Sequence, residues 1–157
     1  MKSIAMTPIG VVQSTRRALF DDNWDKESAS VRLDASLYSE DALVGLTDFS
    51  HVEVIFYMDQ VAADKIERTA RHPRNNPEWP KVGIFAQRGK NRPNQIGTTL
   101  CRVKRVDRLE LHVEGLDAVD GTPVLDLKPW VDEFAPRGPS FQPKWISELM
   151  KGYWARE

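Results

Sequence analysis

Seven short segments rich in β-branched and aromatic residues, each ended by turn-forming residues, constrain this chain more than any other feature. They are residues 9–12, 31–33, 52–57, 82–86, 98–106, 109–113 and 124–127. Val52-Glu53-Val54-Ile55-Phe56-Tyr57 is β-branched and aromatic, and residues 98–106 alternate apolar with polar almost throughout. That is the period of a strand with one buried face. Segment 109–113 follows through an Asp107-Arg108 turn, as the second arm of a hairpin. Short strands with frequent turns and few helical runs predict an antiparallel barrel or sandwich, not a βαβ sheet. Helical signals are fewer: residues 40–46 behind Ser39, which Gly45 weakens or ends; residues 61–70; and residues 144–150, opened by Pro143 and closed by Gly152. Residues 72–80 hold three prolines and no period, which predicts a loop.

At 157 residues the chain fits one domain, residues 1–157, with a core large enough to need no staples. Its single cysteine, Cys101, excludes a disulfide framework or a cysteine-based zinc site within one chain. His51, His72 and His112 lack metal-ligand spacing, so no metal is expected. There is no signal peptide and no run of roughly 20 apolar residues, which predicts a soluble, cytoplasmic protein without a membrane partner. The net charge of −1 hides an asymmetry: from Lys65 to Arg108 twelve Lys or Arg face three acids, a local +9 against −10 elsewhere. Such a band, with Arg71, Arg74, Lys81, Lys90 and Arg92, attracts phosphates if it shares a face, or merely solubilises if it is spread around.

Two stretches have the residue types of a binding site. Residues 83–97 run from a strand end through Gln87-Arg88-Gly89-Lys90-Asn91-Arg92-Pro93-Asn94-Gln95 to Gly97. Guanidinium forks and a backbone stiffened by Pro and Gly suit carboxylate, phosphate or nucleobase contacts, although a solvated basic loop has the same composition. Residues 116–129 place Asp117, Asp120 and Asp126 around an Asp120-Gly121 turn, where they can accept from ribose hydroxyls or a ligand ammonium. The plainer reading has Asp120 shape the turn and Asp126 pair with Lys128 or an arginine. No Walker loop, nucleophile elbow or Gly-x-Gly-x-x-Gly is present.

Taken together, Pro8-Ile9-Gly10-Val11-Val12, Phe49-Ser50-His51-Val52 and these two stretches resemble the TsaA-like (TrmO) family, in order and over essentially the whole chain. The resemblance implies a small antiparallel β-barrel with a few short peripheral helices. It also implies that the barrel binds S-adenosyl-L-methionine without a Rossmann fold and methylates N6 of threonylcarbamoyladenosine 37 in tRNA. A homodimer with the cofactor near its interface is implied too. Carried over by position, the cofactor contacts are Arg88, Thr98, Glu114, Gly115, Leu116 and Asp117, with Asp59 and Gln60 matching in place but not in type. Asn23 and Trp24 stand where the family has another contact. Lys90, Arg92 and Asn94 would face the acceptor, and Asp120 or Asp126 would take its proton. Three departures from the family pattern are expected: the central loop reads Gln87-Arg88-Gly89-Lys90-Asn91 in place of Thr-Arg-Ser-x-Phe, with Gln95 for a proline; residues 72–80 are inserted; and the extra C-terminal domain of longer bacterial members is lacking. A small-molecule or other RNA acceptor, and a cofactor-binding module without catalysis, are the competing readings.

Overall fold

A computed structural model describes residues 2–154, and in it six strands close into an antiparallel barrel. β1 (Gly10–Ser14), β2 (Ala29–Leu33) and β3 (His51–Tyr57) precede a small flap of β4 (Ala70–Arg71) and β5 (Val82–Gly83). β6 (Ile96–Asp107), β7 (Glu110–Glu114) and β8 (Pro123–Pro129) follow, then a helix, α1 (Lys144–Leu149). The order around the barrel is β1-β2-β7-β6-β3-β8, and β8 returns to β1 through Gly10↔Val124 and Val11↔Pro123. Closure leaves no barrel edge unpaired.

The interior follows from strand period. Along β3, Val52, Val54 and Phe56 point inward, while His51, Glu53, Ile55 and Tyr57 remain part-exposed. They meet Val12, Val31, Cys101, Leu111, Leu116 and Val124 in one core. Each large apolar side chain buried there is worth about 1.5–3 kcal/mol. β8 breaks the period once. A register shift between Ile55 and Phe56 sets Phe56 opposite Val124 and Ile55 opposite Asp126. The bulge lets Val124 and Leu127 both reach the core while Asp126 stays outside.

Three sequence expectations change. Of residues 82–86 only Val82–Gly83 is extended; it pairs with Ala70–Arg71 off the barrel, and a 3-10 turn, Ile84–Ala86, then buries Ile84. The helix expected over 61–70 shrinks to one 3-10 turn, Ala63–Lys65, because its later backbone groups take the basic loop and a local side chain as partners instead of helical ones. The Glu67 amide donates to the Asn91 carbonyl, and the Glu67 carboxylate accepts from the Arg68 and Thr69 amides. Residues 40–46 form two 3-10 turns, Glu40–Leu43 and Leu46–Asp48, parted by Gly45 at φ +82°. Among the described residues no helix is long and apolar enough to cross a membrane.

At Gly10 a Cβ would stand 2.1 Å from the Arg32 carbonyl oxygen and 2.9 Å from the Leu33 Cα, backbone atoms of the paired strand. Gly10→Ala is expected to lower unfolding free energy in urea by about 1–3 kcal/mol or more. Gly83→Ala, with nothing within 4 Å of its Cβ, should change it by less than about 0.5 kcal/mol.

Candidate functional site

Antiparallel order gathers three connections at one rim of the barrel: residues 15–28 after β1, residues 58–95 after β3, and residues 115–122 after β7. The segment after α1 reaches the same rim, since the amides of Asn23, Trp24 and Asp25 donate to the carbonyls of Gly152, Tyr153 and Trp154 at 3.0, 3.0 and 3.1 Å. A largely apolar pocket lined by Ile9, Leu33, Tyr38, Leu43 and Phe49 belongs to the opposite rim.

The first connection is built on Arg16, 3% exposed, to which nothing in the sequence drew attention. Its Nε donates to Glu27 Oε1 at 3.0 Å. Nη1 donates to the carbonyls of Phe20 and Asp22, and Nη2 to that of Asn23. The guanidinium carbon lies 3.8 Å from the Phe20 ring centroid and 4.1 Å from that of Trp24. A planar five-donor fork makes this possible, where a lysine would be a single point charge. The adjacent Arg17 is exposed, and no local pattern distinguishes the two. Glu27 also accepts from the Thr15 hydroxyl, which, with the Arg16 bond and charge, holds its carboxyl below the usual range despite burial. Trp24 is buried in this assembly and donates its indole N–H to the Asp21 carbonyl at 3.2 Å.

The connection after β7 turns at Gly115, φ +82°, buries Leu116 and leaves Asp117 half-buried. Asp117 Oδ1 accepts from the Thr99 hydroxyl of β6 and Oδ2 from the Tyr153 hydroxyl. Burial, then the Asp117 charge and hydrogen bond, push Tyr153 far above the ordinary phenol range. Burial, with Asp117 second, does the same for the Cys101 thiol, so this cysteine is an inert core group. Sequence reading pointed to Asp117 and missed Tyr153, which lies 36 residues away.

The basic loop lies across this rim. Arg88 Nη2 donates to the Thr98 carbonyl at 2.8 Å, and the Thr98 hydroxyl to Glu53 at 2.6 Å. Lys90 pairs with Asp21 at 2.5 Å, and Arg74 forks onto Asp22 at 2.7 and 3.0 Å. Arg92 donates to the Gln87 carbonyl at 3.1 Å, and Asn94 is exposed at φ 64°. Three side-chain amides fasten the loop. Gln87 donates to the carbonyls of Arg71 and Val82, Asn91 to Lys65, and Gln95 to Met58 and Val61. His72 Nδ1 lies 2.6 Å from the Trp79 carbonyl, and the Trp79 indole donates to Glu148 of α1.

The rim thus gathers Asn23, Trp24, Leu116, Asp117, Arg88 and Lys90 from three separate connections. The other expected site residues make different contacts. Asp59 and Gln60 are exposed just beyond β3. Glu114 is exposed and lies 3.7 Å from both Arg102 and Lys104. Asp120 Oδ1 accepts the Ser14 amide at 3.1 Å, and its own amide donates to the Arg16 carbonyl. Asp126 is on the outer face, 2.7 Å from Lys128. The basic band divides as well. Lys65 to Arg92 belong to the rim connections, whereas Arg102, Lys104, Arg105 and Arg108 are each paired with an acid along β6 and its turn.

Residues 21–135 match the family described as the tRNA-methyltransferase O N-terminal domain. Over 95 residues the chain is 37% identical to a protein of Mus musculus named tRNA (adenine(37)-N6)-methyltransferase, covering 60% of this chain and 22% of that one. It is 33% identical over 133 residues to a probable S-adenosyl-L-methionine-binding protein of Methanothermobacter thermautotrophicus, covering 83% of this chain and 92% of that protein. The crystal structure of TrmO from Pseudomonas aeruginosa superposes with a TM-score of 0.70 at 26% identity, over 89% of this chain and 62% of that one. The chain therefore spans less than a quarter of the mouse relative's length and nearly all of the archaeal one.

Removing the buried Arg16 side chain leaves the half-buried Glu27 carboxylate without its cation and three carbonyls without this donor. Arg16→Ala should cost about 3–5 kcal/mol in chemical denaturation. Glu27→Gln should be destabilising at neutral pH. The folded chain holds Glu27 below its free value, so the stability it lends is complete above roughly pH 4.3 and is lost as pH falls through the folded-state value. The stability difference between wild type and Glu27→Gln should accordingly narrow below roughly pH 4.

Proposed function

The chain belongs to the family of the tRNA-methyltransferase O N-terminal domain, and from that premise we propose that it is an S-adenosyl-L-methionine-dependent methyltransferase acting on N6 of a tRNA adenosine. The observation that carries this reading is the meeting of the two motif stretches at one rim. Arg88 is seated on the Thr98 carbonyl, and Asp117 is bonded to Thr99, so a cation and an anion are anchored to consecutive residues of β6. An exposed guanidinium, a half-buried carboxylate and the backbone turn at Gly115 have the chemistry to hold a zwitterionic nucleoside derivative. Arg88 would hold the cofactor's carboxylate, and Asp117 with its neighbours another polar end.

S-Adenosyl-L-methionine supplies a methyl group on a sulfonium that is its own leaving group. The task left to the protein is alignment and water exclusion, which can remove roughly 7–11 kcal/mol of a barrier. The flap, tied down by Gln87, Asn91 and Gln95, and the loop clamped by Arg16 make the rim rigid enough for that. Lys90, Arg92 and Asn94 would face the acceptor, with Lys90 exchanging Asp21 for a phosphate or carboxylate. Of the two carboxylates available as proton acceptors, Asp120 shares this rim, whereas Asp126 is held by Lys128 on the outer face.

The finer reading has the enzyme methylate threonylcarbamoyladenosine 37 in the cytoplasm as a homodimer with the site near the interface. Ile96 and Leu100, exposed on the outer face of β6 beside Thr98, suit such an interface. A second reading, cofactor binding without transfer, draws on the engagement of both candidate bases and on the archaeal relative's name.

Calorimetric titration with S-adenosyl-L-methionine should show micromolar binding, lost in Arg88→Ala; absence of binding by the wild type would end both readings. Labelled methyl transfer to bulk tRNA separates them. Arg92→Ala should weaken tRNA binding and lower the slope of log affinity against log salt by about one phosphate contact. An unchanged slope would remove Arg92 from the acceptor face.

A further inference from the structure

We propose that Tyr153 is a positioning residue of this rim: with Thr99 it holds the Asp117 carboxylate in place to receive the ammonium of an α-amino-acid head group whose carboxylate lies on Arg88. This rests on reading the rim as the cofactor site and adds to it a residue from outside both motif stretches.

Four observations lead there. First, the acids of the rim are unequally matched. Asp21 has Lys90 and Asp22 has Arg74, but Asp117 has no cationic partner among the described residues and accepts only from two hydroxyls. A carboxylate oxygen accepts more than one hydrogen bond, so each oxygen can still take a further donor, and a cation is the complement this carboxylate lacks. Second, the Tyr153 position does not depend on its own hydroxyl. Three successive amides, from Asn23 to Asp25, bind the backbone of 152–154, and the Trp79 indole anchors α1 through Glu148. The hydroxyl is thus delivered to Asp117 by a fixed segment. Third, burial beside a carboxylate pushes the Tyr153 hydroxyl so far up that it remains a donor throughout the physiological range. Fourth, Arg88 spends one nitrogen on the Thr98 carbonyl, and its other donors have no partner among the described residues. Held on the consecutive residues Thr98 and Thr99, Arg88 and Asp117 carry the charges complementary to the carboxylate and ammonium of an α-amino acid.

The test compares two ligands on the full chain. S-Adenosylhomocysteine has the amino-acid head; methylthioadenosine keeps the nucleoside and thioether but lacks it. Tyr153→Phe should weaken S-adenosylhomocysteine roughly tenfold or more, the size expected for loss of a hydrogen bond to a charged group, and leave methylthioadenosine unchanged. Asp117→Asn should show the same selective loss. Hydrogen exchange at the Asn23, Trp24 and Asp25 amides reports whether the segment stays docked. If it comes loose in Tyr153→Phe, Thr99→Val removes the other hydroxyl from within β6, and the same head-group-selective loss is expected. Equal weakening of both ligands in a docked variant would show a merely structural Tyr153 and overturn the proposal, as would unchanged S-adenosylhomocysteine binding. A wild type that binds neither ligand refutes the cofactor site itself, a result distinct from loss of selectivity.

Discussion

One guanidinium removed from water organises the rim. Arg16 replaces its hydration with Glu27, three backbone carbonyls and two aromatic faces, and the loop cannot leave this arrangement without exposing a buried charge to a low-dielectric surrounding. That fixes where Asp21 and Asp22 stand, and so where Lys90 and Arg74 are held. It also sets the amides of Asn23 to Asp25, onto which the segment bearing Tyr153 is bonded. The path from Arg16 to Asp117 therefore runs through named contacts: clamp, loop backbone, docked segment, hydroxyl, carboxylate.

The excursion over residues 58–95 shows the same economy. A stretch of that length with only a two-residue strand pair and single 3-10 turns of its own must find further partners for its backbone carbonyls. Gln87, Asn91 and Gln95 supply five side-chain amide bonds to carbonyls between Met58 and Val82. Two of these carbonyls, those of Arg71 and Val82, flank residues 72–80, so Gln87 ties the two ends of that segment together. A proline at position 95 would supply none of the side-chain bonds that Gln95 makes to the Met58 and Val61 carbonyls and the Tyr57 hydroxyl.

The positive band gains its meaning only when divided in space. The four cations after Cys101 lie along β6 and its turn, and each finds a carboxylate: Glu114 of the neighbouring β7 for Arg102 and Lys104, Asp107 for Arg105 and Glu40 for Arg108. Those before Gly97 lie on the rim connections, where Arg68 and Lys81 have no ion pair among the described residues. Surface pairs of the first kind contribute little to stability. The second kind makes a local positive field at the rim.

Sequence alone determined the strands, because alternation and turn chemistry are local: β3, β6 with β7 across the 107–108 turn, and β8 are visible in residue period, and the two motif stretches in residue type. It determined neither the flap nor the outward turn of Asp126. Ile84 leaves the strand period to be buried, and the bulge in β8 arises from pairing with β3, some 70 residues away. Arg16 and Tyr153 were silent for the same reason. Asp120 meets the Ser14 amide across 106 residues and Tyr153 meets Asp117 across 36, while Arg16 spans only 11 residues to Glu27 but differs from Arg17 only in being enclosed. Which buried polar group satisfies which other depends on how the closed barrel brings distant strand ends together, and no local pattern encodes that.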